Sequence, residues 1–448
     1  MSMIDRLIAH RVPRYTSYPT APQFHAGVGG AQYRKWLAAQ PRGTAASLYV
    51  HIPFCDTLCW FCGCHTKVVN AYSPVQAYLD LLFREADLVA GALSPEHPVT
   101  HVHWGGGSPT MLKPQDIAHL ARHLRERFDF APDAEFAIEI DPRGFTEETA
   151  DALAEAGVTR ASIGVQDCDP IVQHAVNRIQ PEETTIRAVE MLRNRGINRL
   201  NIDLIYGLPH QTLAGMVRNV EFALSLNPDR LAVFGYAHVP HFKKHQQLIS
   251  EKALPDERAR LKQAVLVNAT LAARGYVAVG LDHFANPDDP LAVAQRDHRL
   301  ARNFQGYTTD NAPILIGLGA SSIGSLPQGY VQNHTEVRAY RAAIDEGLLP
   351  VARGIALTDD DRLSRAIIER LMCDLEVDLG AMTERHNRTL DALAEPLKRL
   401  APLLDDGIAH LDGSRLSVDP QWRIFVRPVC AAFDAYLGNS SAVHSKAV

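Results

Sequence analysis

The chain has 448 residues, of which 46% are hydrophobic, and it carries a formal net charge of −6 at pH 7. This length and composition predict one large domain with one or two smaller ones. The balance of 45 basic and 51 acidic residues argues against a nucleic-acid partner, and no apolar run reaches the roughly 18 residues of a membrane span. The first residues lack the apolar segment of a signal peptide, so we expect a cytoplasmic location and no membrane partner.

Residues 1–45 are predicted to form an N-terminal arm rather than a domain. They contain a short helix candidate at residues 4–11, followed by the sequence PRYTSYPT at residues 13–20. Prolines and tyrosines at this density favour an extended segment that lies against another surface.

From residue 46 onward, strand-like and helix-like runs alternate, and six strands are predicted. They are residues 47–52, 99–104, 135–140, 160–165, 199–205 and 230–236. Six β/α units predict an α/β fold with a curved parallel sheet. We expect this core domain to span residues 46–357.

The connecting segments carry apolar residues at helical spacing. In the first predicted helix, Ser73 is placed as the N-cap and Pro74 in the first turn. Further helices are predicted at residues 114–128, 182–195 and 256–273. Gly196 is expected to end the helix before it in a left-handed conformation, and residues 303–324 are predicted to be glycine-rich loops.

Residues 358–448 are predicted to form a mainly helical C-terminal domain. Helices at residues 359–375 and 390–400 precede a hairpin signal at residues 408–418 that turns at Asp412-Gly413. This order is typical of a winged-helix-like module. A packing or lid domain is favoured over DNA binding because the module has no basic recognition stripe.

Seven cysteines are present, and four of them, Cys55, Cys59, Cys62 and Cys64, follow the first predicted strand. An odd number with four close together favours metal or redox chemistry over disulfides. The first three can fold three thiolates around one point, which is how a cubane iron–sulfur cluster with one open iron is held. The alternative is a structural zinc site with Cys64 as fourth ligand, which the compressed spacing disfavours.

The C-x3-C-x2-C motif, with Trp60-Phe61 ahead of its third cysteine, resembles that of the radical S-adenosylmethionine enzymes. The resemblance implies an incomplete (β/α)6 barrel, a [4Fe-4S] cluster on Cys55, Cys59 and Cys62, and S-adenosylmethionine at the open iron. Chemistry of this kind needs a shielded barrel mouth. The sequences WGGGSPT at residues 104–110 and IEIDP at residues 138–142 match the family's cofactor-binding segments.

Other segments resemble the oxygen-independent coproporphyrinogen III oxidases over essentially the full chain. They are PRYTSYPT, Cys62-Gly63-Cys64, GVQD at 164–167, VNR at 176–178, NIDLIYGLP at 201–209 and NFQGYTT at 303–309. The resemblance implies that a 5′-deoxyadenosyl radical drives oxidative decarboxylation of two propionates of coproporphyrinogen III to vinyl groups. The product would be protoporphyrinogen IX, formed without oxygen in haem biosynthesis.

The same resemblance implies two molecules of S-adenosylmethionine side by side. The first would contact Tyr49, Gly106, Glu139 and Ile323. The second would contact Phe61, Gly107, Ser108, Gln166, Arg178, Asp203 and Ala237. The forked donors of Arg178 suit a carboxylate, and Asp203 suits a hydroxyl or amine. Ser108 stands where threonine is more usual, a change that keeps the hydroxyl.

Some roles remain open at this level. Cys64 could take part in catalysis, tune packing or be structural. Loop cations that could meet the propionates are Arg14, Lys243, Lys244, His283 and Arg302. We also expect a reductant such as a flavodoxin or ferredoxin, and a monomeric state.

Two other functions fit parts of the pattern. A haem-binding chaperone can share the barrel, but relatives of that kind usually lack the PRYTSYPT arm and Cys64. A radical methyltransferase could use the second S-adenosylmethionine as methyl donor, and its methylated product would distinguish it.

Overall fold

The computed structural model describes residues 3–94 and 96–437, so the predictions for residues 1–2 and 438–448 lie outside the described residues. The first half contains α1 (Met3–Ala9), α2 (Gly30–Ala38), β1 (Ala46–Ile52), β2 (Phe54–Cys55), β3 (Lys67–Val68), α3 (Ser73–Ala90), β4 (Val99–Gly106), α4 (Pro114–Arg127), β5 (Phe130–Ile140), α5 (Glu147–Glu155), β6 (Arg160–Gln166), α6 (Pro170–Ala175), α7 (Glu182–Arg193), β7 (Arg199–Tyr206), α8 (Leu213–Ser225) and β8 (Arg230–Gly235).

The second half contains α9 (Glu257–Ala273), β9 (Val277–Val279), β10 (His283–Ala285), α10 (Pro290–Arg296), β11 (Ala301–Asn303), β12 (Gly306–Thr308), β13 (Ile314–Leu318), β14 (Ile323–Leu326), β15 (Gly329–Asn333), α11 (Val337–Asp345), β16 (Val351–Ala356), α12 (Asp359–Asp374), β17 (Glu376–Asp378), α13 (Leu379–Arg385), α14 (Ala394–Asp405), β18 (Ala409–Asp412), β19 (Arg415–Val418) and α15 (Val426–Ala431). Within the described ranges, no helix is both long and apolar enough to cross a membrane.

The large sheet has twelve strands in the order β16-β15-β14-β13-β1-β4-β5-β6-β7-β8-β10-β9. The six predicted strands, β1 and β4 to β8, run parallel in its middle, which confirms the predicted α/β partial barrel. A seventh strand, β13, pairs parallel with β1 and lies within residues 303–324, where loops were predicted. All five of its residues are buried, so it lacks the alternation that marks a half-exposed strand.

Two predicted helix ends are wrong in detail. Ser73 is the first residue of α3 rather than its cap, and Tyr72 takes the cap position without capping through its side chain. The helix predicted at 182–195 ends at Arg193. Gly196 then follows with a φ of +80°, the left-handed conformation that was expected.

The N-terminal arm packs as part of the C-terminal core. That core combines α12, α14, α15 and the small sheet β17-β19-β18 with five buried residues of the arm, Leu7, Ile8, Val12, Tyr15 and Tyr18. Tyr15 donates a hydrogen bond to Asp434 Oδ2 at 3.0 Å. The arm and the C-terminal region therefore share one apolar core.

Candidate active site

The carboxyl ends of the parallel strands bring the predicted site residues to one edge of the sheet, where barrel enzymes place reacting groups. β1 leads into the cysteine loop, residues 53–66, and β4 ends among the three glycines. The later strands supply the remaining candidates, which are Glu139 near the end of β5, Gln166 at the end of β6, Asp203 within β7 and Ala237 just after β8.

The cysteine loop is held by segments that are distant in the chain. Asn177 Nδ2 donates to Leu58 O at 2.9 Å, and His245 Nε2 donates to Cys62 O at 2.8 Å. These bonds fix the loop backbone on both sides of Cys59, which is the most buried of its four cysteines.

Two guanidinium groups lie against the Cys59 thiol. Arg143 Nη2 and Arg178 Nη1 are each 3.5 Å from Cys59 Sγ. Both arginines pair with Asp141, at 2.6 and 3.1 Å, and Arg178 also donates to Gly164 O at 2.6 Å. Burial raises the pKa of Asp141, but the charges of Arg178 and Arg143 lower it to about 2. The thiol therefore sits in a positively charged pocket.

Cys64 contacts Cys62 rather than standing apart. A hydrogen bond from Cys64 lowers the pKa of Cys62 to about 6 and raises that of Cys64, so Cys62 favours the thiolate that metal binding requires. No three His, Cys, Asp or Glu side chains surround a single ion position in the described part of the chain. Iron–sulfur cubanes are held by cysteine thiolates, and Cys55, Cys59 and Cys62 lie in one short loop.

The glycines at the end of β4 let the backbone pack closely against β1 and the cysteine loop. Gly106 has a φ of +113°, and a Cβ there would lie 2.5 Å from the ring of His51. A Cβ on Gly107 would lie 2.5 Å from Phe54 O. Real Cβ atoms do not approach other heavy atoms so closely, so these two positions require glycine for packing as well as for any ligand.

Three of the four residues predicted for the first S-adenosylmethionine form one connected group. The ring of Tyr49 stacks on His103 with centroids 5.8 Å apart, and its hydroxyl donates to His51 Nδ1 at 3.0 Å. Glu139 accepts from His103 at 3.3 Å and from Gly106 N–H at 3.0 Å. Burial raises the pKa of Glu139, but these partners lower it below its ordinary value, so the carboxylate stays charged.

Ile323 reaches this group through the sheet. Tyr49 on β1 pairs with Gly317 on β13, and a Cβ on Gly317 would lie 2.8 Å from the backbone of Ile323. The strand that the sequence did not predict is therefore the element that brings Ile323 towards Tyr49.

The residues predicted for the second molecule surround the same edge. Asp203 accepts from Ser162 Oγ at 3.0 Å and from Asn201 Nδ2 at 2.7 Å. Burial and the charge of Glu139 raise the pKa of Asp203 to about 6. Gln166 takes a left-handed φ of +69°. Phe61 packs on an apolar cluster beside Trp60, and Ser108 is buried.

Two cavities are lined by candidate site residues. The inner one, of about 200 Å³, is lined by Tyr49, Glu139 and Asp203. The outer one, of about 1030 Å³, is lined by Cys64 and Ala237 and by three of the five predicted cations, Arg14, His283 and Arg302. The structure adds four arginines that the sequence analysis missed, Arg11, Arg260, Arg423 and Arg427.

The other two predicted cations are not part of that lining. Lys243 donates from Nζ to Cys64 O at 2.8 Å, so it holds the cysteine loop, and Lys244 begins a short 3-10 helix next to it. Arg423 lies in a short 3-10 helix just before α15, and Arg427 lies in α15 itself.

Comparison with known proteins gives consistent matches. The Radical SAM superfamily profile matches residues 49–223, and the HemN C-terminal domain profile matches residues 357–424. The chain is 51% identical over 438 residues to an oxygen-independent coproporphyrinogen III oxidase of Bradyrhizobium diazoefficiens, covering 98% of this chain and 97% of the relative. It is 45% identical to that of Paracoccus denitrificans, covering 100% of this chain and 99% of the relative.

A solved structure matches over nearly the whole chain. It is coproporphyrinogen III oxidase from Escherichia coli, described as a radical SAM enzyme, with a TM-score of 0.91 and 40% identity. The match covers 96% of this chain and 100% of that structure.

Proposed function

The chain belongs to the oxygen-independent coproporphyrinogen III oxidases, which are radical S-adenosylmethionine enzymes, and from this premise we propose how its residues act. It converts coproporphyrinogen III to protoporphyrinogen IX by oxidative decarboxylation of two propionates, a step of haem biosynthesis. The observation that carries the proposal is the adjacency of the cysteine loop and the outer cavity, because Cys64 belongs to both.

Cys55, Cys59 and Cys62 would hold the [4Fe-4S] cluster. The donor set fits an anionic cluster because three thiols lie in one loop and two guanidinium groups lie at Cys59. Arg178 Nε is buried and has no hydrogen-bond partner among the described residues, so it keeps a donor for a ligand at this position. When bound, the cluster and S-adenosylmethionine supply the 5′-deoxyadenosyl radical that removes a hydrogen atom from a propionate.

We propose two S-adenosylmethionine molecules. Tyr49, Gly106, Glu139 and Ile323 bind the first, and Phe61, Gly107, Ser108, Gln166, Arg178, Asp203 and Ala237 bind the second. The lowered pKa of Glu139 keeps an anion available for an ammonium group. Arg178 can offer its Nε–H to a carboxylate, since its Nη1 and Nη2 already donate to Asp141 and to Gly164 O.

The outer cavity binds the tetrapyrrole. Its volume of about 1030 Å³ is at the upper end of the range of small-molecule sites. Ala237 and Cys64 both line it, so a substrate there lies beside the predicted second cofactor position.

We further propose three parts for the chain, an arm at residues 1–45, a barrel domain at 46–357 and a C-terminal domain at 358–448. The enzyme acts as a cytoplasmic monomer, and a flavodoxin or ferredoxin reduces it. Exposed residues of the cysteine loop, Asp56, Thr57 and Gly63, leave room for such a carrier to approach.

The proposal is tested by anaerobic reconstitution with iron and sulfide, followed by incubation with S-adenosylmethionine, a reductant and coproporphyrinogen III. Chromatography of the tetrapyrroles should show vinyl products. Stoichiometric haem binding without vinyl products would instead support a carrier, and a methylated tetrapyrrole would support a methyltransferase.

A further inference from the structure

The outer cavity is cationic although the chain as a whole is acidic. Four carboxylates line it, Glu251, Asp256, Glu257 and Asp282, against six arginines, Arg11, Arg14, Arg260, Arg302, Arg423 and Arg427. An enclosed space with an excess of one charge attracts ligands of the opposite charge.

Three of the lining carboxylates already have partners of their own. Asp282 lies 2.9 Å from His283 Nδ1, and Asp256 accepts from the backbone N–H of Ala259 at 2.7 Å as the cap of α9. Glu251 lies 3.3 Å from a histidine. Burial raises the pKa of Asp282, but His283 and the charges of Arg302 and Arg14 lower it to about 2, so this carboxylate offsets part of the arginine charge. With six arginines against four carboxylates, the cavity keeps an excess of positive charge.

The arginines instead donate to backbone carbonyls. Arg14 donates to Gly235 O at 3.2 Å, and Arg260 donates to Tyr236 O at 2.7 Å. Arg302 donates to the carbonyl of Arg14 at 3.4 Å. Within the described ranges, none of these three arginines forms a close ion pair with a carboxylate, so their guanidinium groups can pair with the carboxylate of a ligand.

Several of their donors are also unpaired. Arg302 Nε and Nη1 and Arg260 Nε are buried without a hydrogen-bond partner in the described part of the chain. Burial and the neighbouring Arg14 lower the pKa of Arg427 to about 10 and lower that of Arg260 as well. Buried N–H groups without partners are costly, and like charges repel, so an anion would relieve both penalties.

The chemistry of the reaction separates two kinds of propionate. A strong guanidinium pair stabilises a carboxylate, which opposes its loss as carbon dioxide, because only interactions stronger in the transition state speed a step. A propionate that is not decarboxylated can be bound tightly without slowing the reaction. Firm arginine pairs therefore suit the propionates that are kept.

Resting on the proposed function, we infer that Arg14, Arg260, Arg302 and Arg427, here called the arginine wall, bind the two propionates of coproporphyrinogen III that remain in the product. The wall thereby orients the tetrapyrrole so that the other two propionates face the cysteine loop. It is a binding and specificity-determining element built jointly by the arm, the barrel and α15.

The test measures binding to the full-length reconstituted protein by quenching of porphyrin fluorescence. Deuteroporphyrin IX carries only the two propionates at the retained positions, and its dimethyl ester carries neither charge. Arg302→Gln should raise the Kd of deuteroporphyrin IX by about 10- to 100-fold, since one charge-assisted pair is lost. The Kd of the ester should stay within about twofold of wild type.

Two variants serve as controls. Arg302→Lys keeps the charge without the fork and should give an intermediate Kd, which shows that the site folds. Arg338→Gln changes an exposed arginine on α11 and should bind deuteroporphyrin IX like wild type.

The inference is overturned if Arg302→Gln binds deuteroporphyrin IX like wild type, or if the ester loses affinity equally. The inference is also contradicted if Arg302→Gln raises the Kd of coproporphyrin III, which carries four propionates, but not that of deuteroporphyrin IX. That result would mean that the arginine wall binds the two propionates that react. Absence of vinyl products from the wild-type enzyme would overturn the proposed function. Normal products from the wild-type enzyme, together with an unchanged Kd of Arg302→Gln for deuteroporphyrin IX, would overturn only the role of the arginine wall.

Discussion

Replacing Glu85 by glutamine should change how the stability of the protein depends on pH. Glu85 on α3 is 1% exposed. Its Oε2 accepts from Gly319 N–H at 2.6 Å and from Tyr340 OH at 2.5 Å, and its Oε1 accepts from Asn333 Nδ2 at 2.5 Å. The carboxyl thus joins α3 to the end of β13, to β15 and to α11, directly behind β1.

The magnitude follows from the pKa of Glu85. Burial raises the pKa from 4.5 to about 7, with its three donors offsetting part of that effect. The folded protein therefore holds a proton that the unfolded chain has released between these pH values. Stability from this group is lost as pH rises through that window, by about 3 kcal/mol in total at about 1.4 kcal/mol per pH unit.

The assay compares the melting temperatures of wild type and Glu85→Gln at several pH values from 5.5 to 8.5, under anaerobic conditions. As pH rises over this range, the free energy of unfolding of the variant should increase by about 2 kcal/mol relative to that of wild type. For a domain of this size, such a change corresponds to several degrees in melting temperature. Glu346→Gln, an exposed substitution, should show no such trend. A pH-independent difference for Glu85→Gln would refute the reasoning.

Three further predictions concern the site. Cys59→Ser should lose the visible absorption of the cluster and turnover together, whereas Cys168→Ser should keep both; a Cys59→Ser enzyme with full iron content would contradict the ligand assignment. Gly107→Ala should lower the free energy of unfolding by about 1–3 kcal/mol in urea titrations, because its Cβ would lie 2.5 Å from Phe54 O; unchanged stability would contradict the packing argument. Asp203 has a pKa of about 6, so it loses its charge as pH falls through that value. Equilibrium dialysis should therefore find two S-adenosylmethionine molecules per chain at pH 7.5 and weaker binding of one of them at pH 5.5. Equal binding at the two pH values would count against this role of Asp203.

The sequence predicted the elements whose signal is local. The six central strands appear where apolar runs were bounded by turns. The predicted hairpin also forms, but its two-residue turn is Gly413-Ser414 rather than Asp412-Gly413, because Asp412 pairs with Arg415 and Gly413 takes the positive φ. β13 was missed because its five consecutive buried residues, which include Gly317 and follow Pro313, carry neither alternation nor helical spacing.

The sequence predicted those site residues that lie at or just after the end of a predicted strand. Glu139 and the glycines meet because parallel strands end at the same edge. The arginine wall could not be predicted from spacing, because Arg14, Arg260, Arg302 and Arg427 lie far apart in the chain and meet only after the arm packs on the C-terminal core. Lys243 looked equally suitable in the sequence, but it binds the carbonyl of Cys64.

The central claim is that the cysteine loop and the adjoining cavity together carry out two decarboxylations on one tetrapyrrole. The most direct measurement is the amount of carbon dioxide released from carboxyl-labelled coproporphyrinogen III, set against the protoporphyrinogen IX formed in the same anaerobic reaction. The account predicts two carbon dioxide molecules for each protoporphyrinogen IX, and neither product from Cys59→Ser. Label that stays in the tetrapyrrole while the protein binds it tightly would contradict the account.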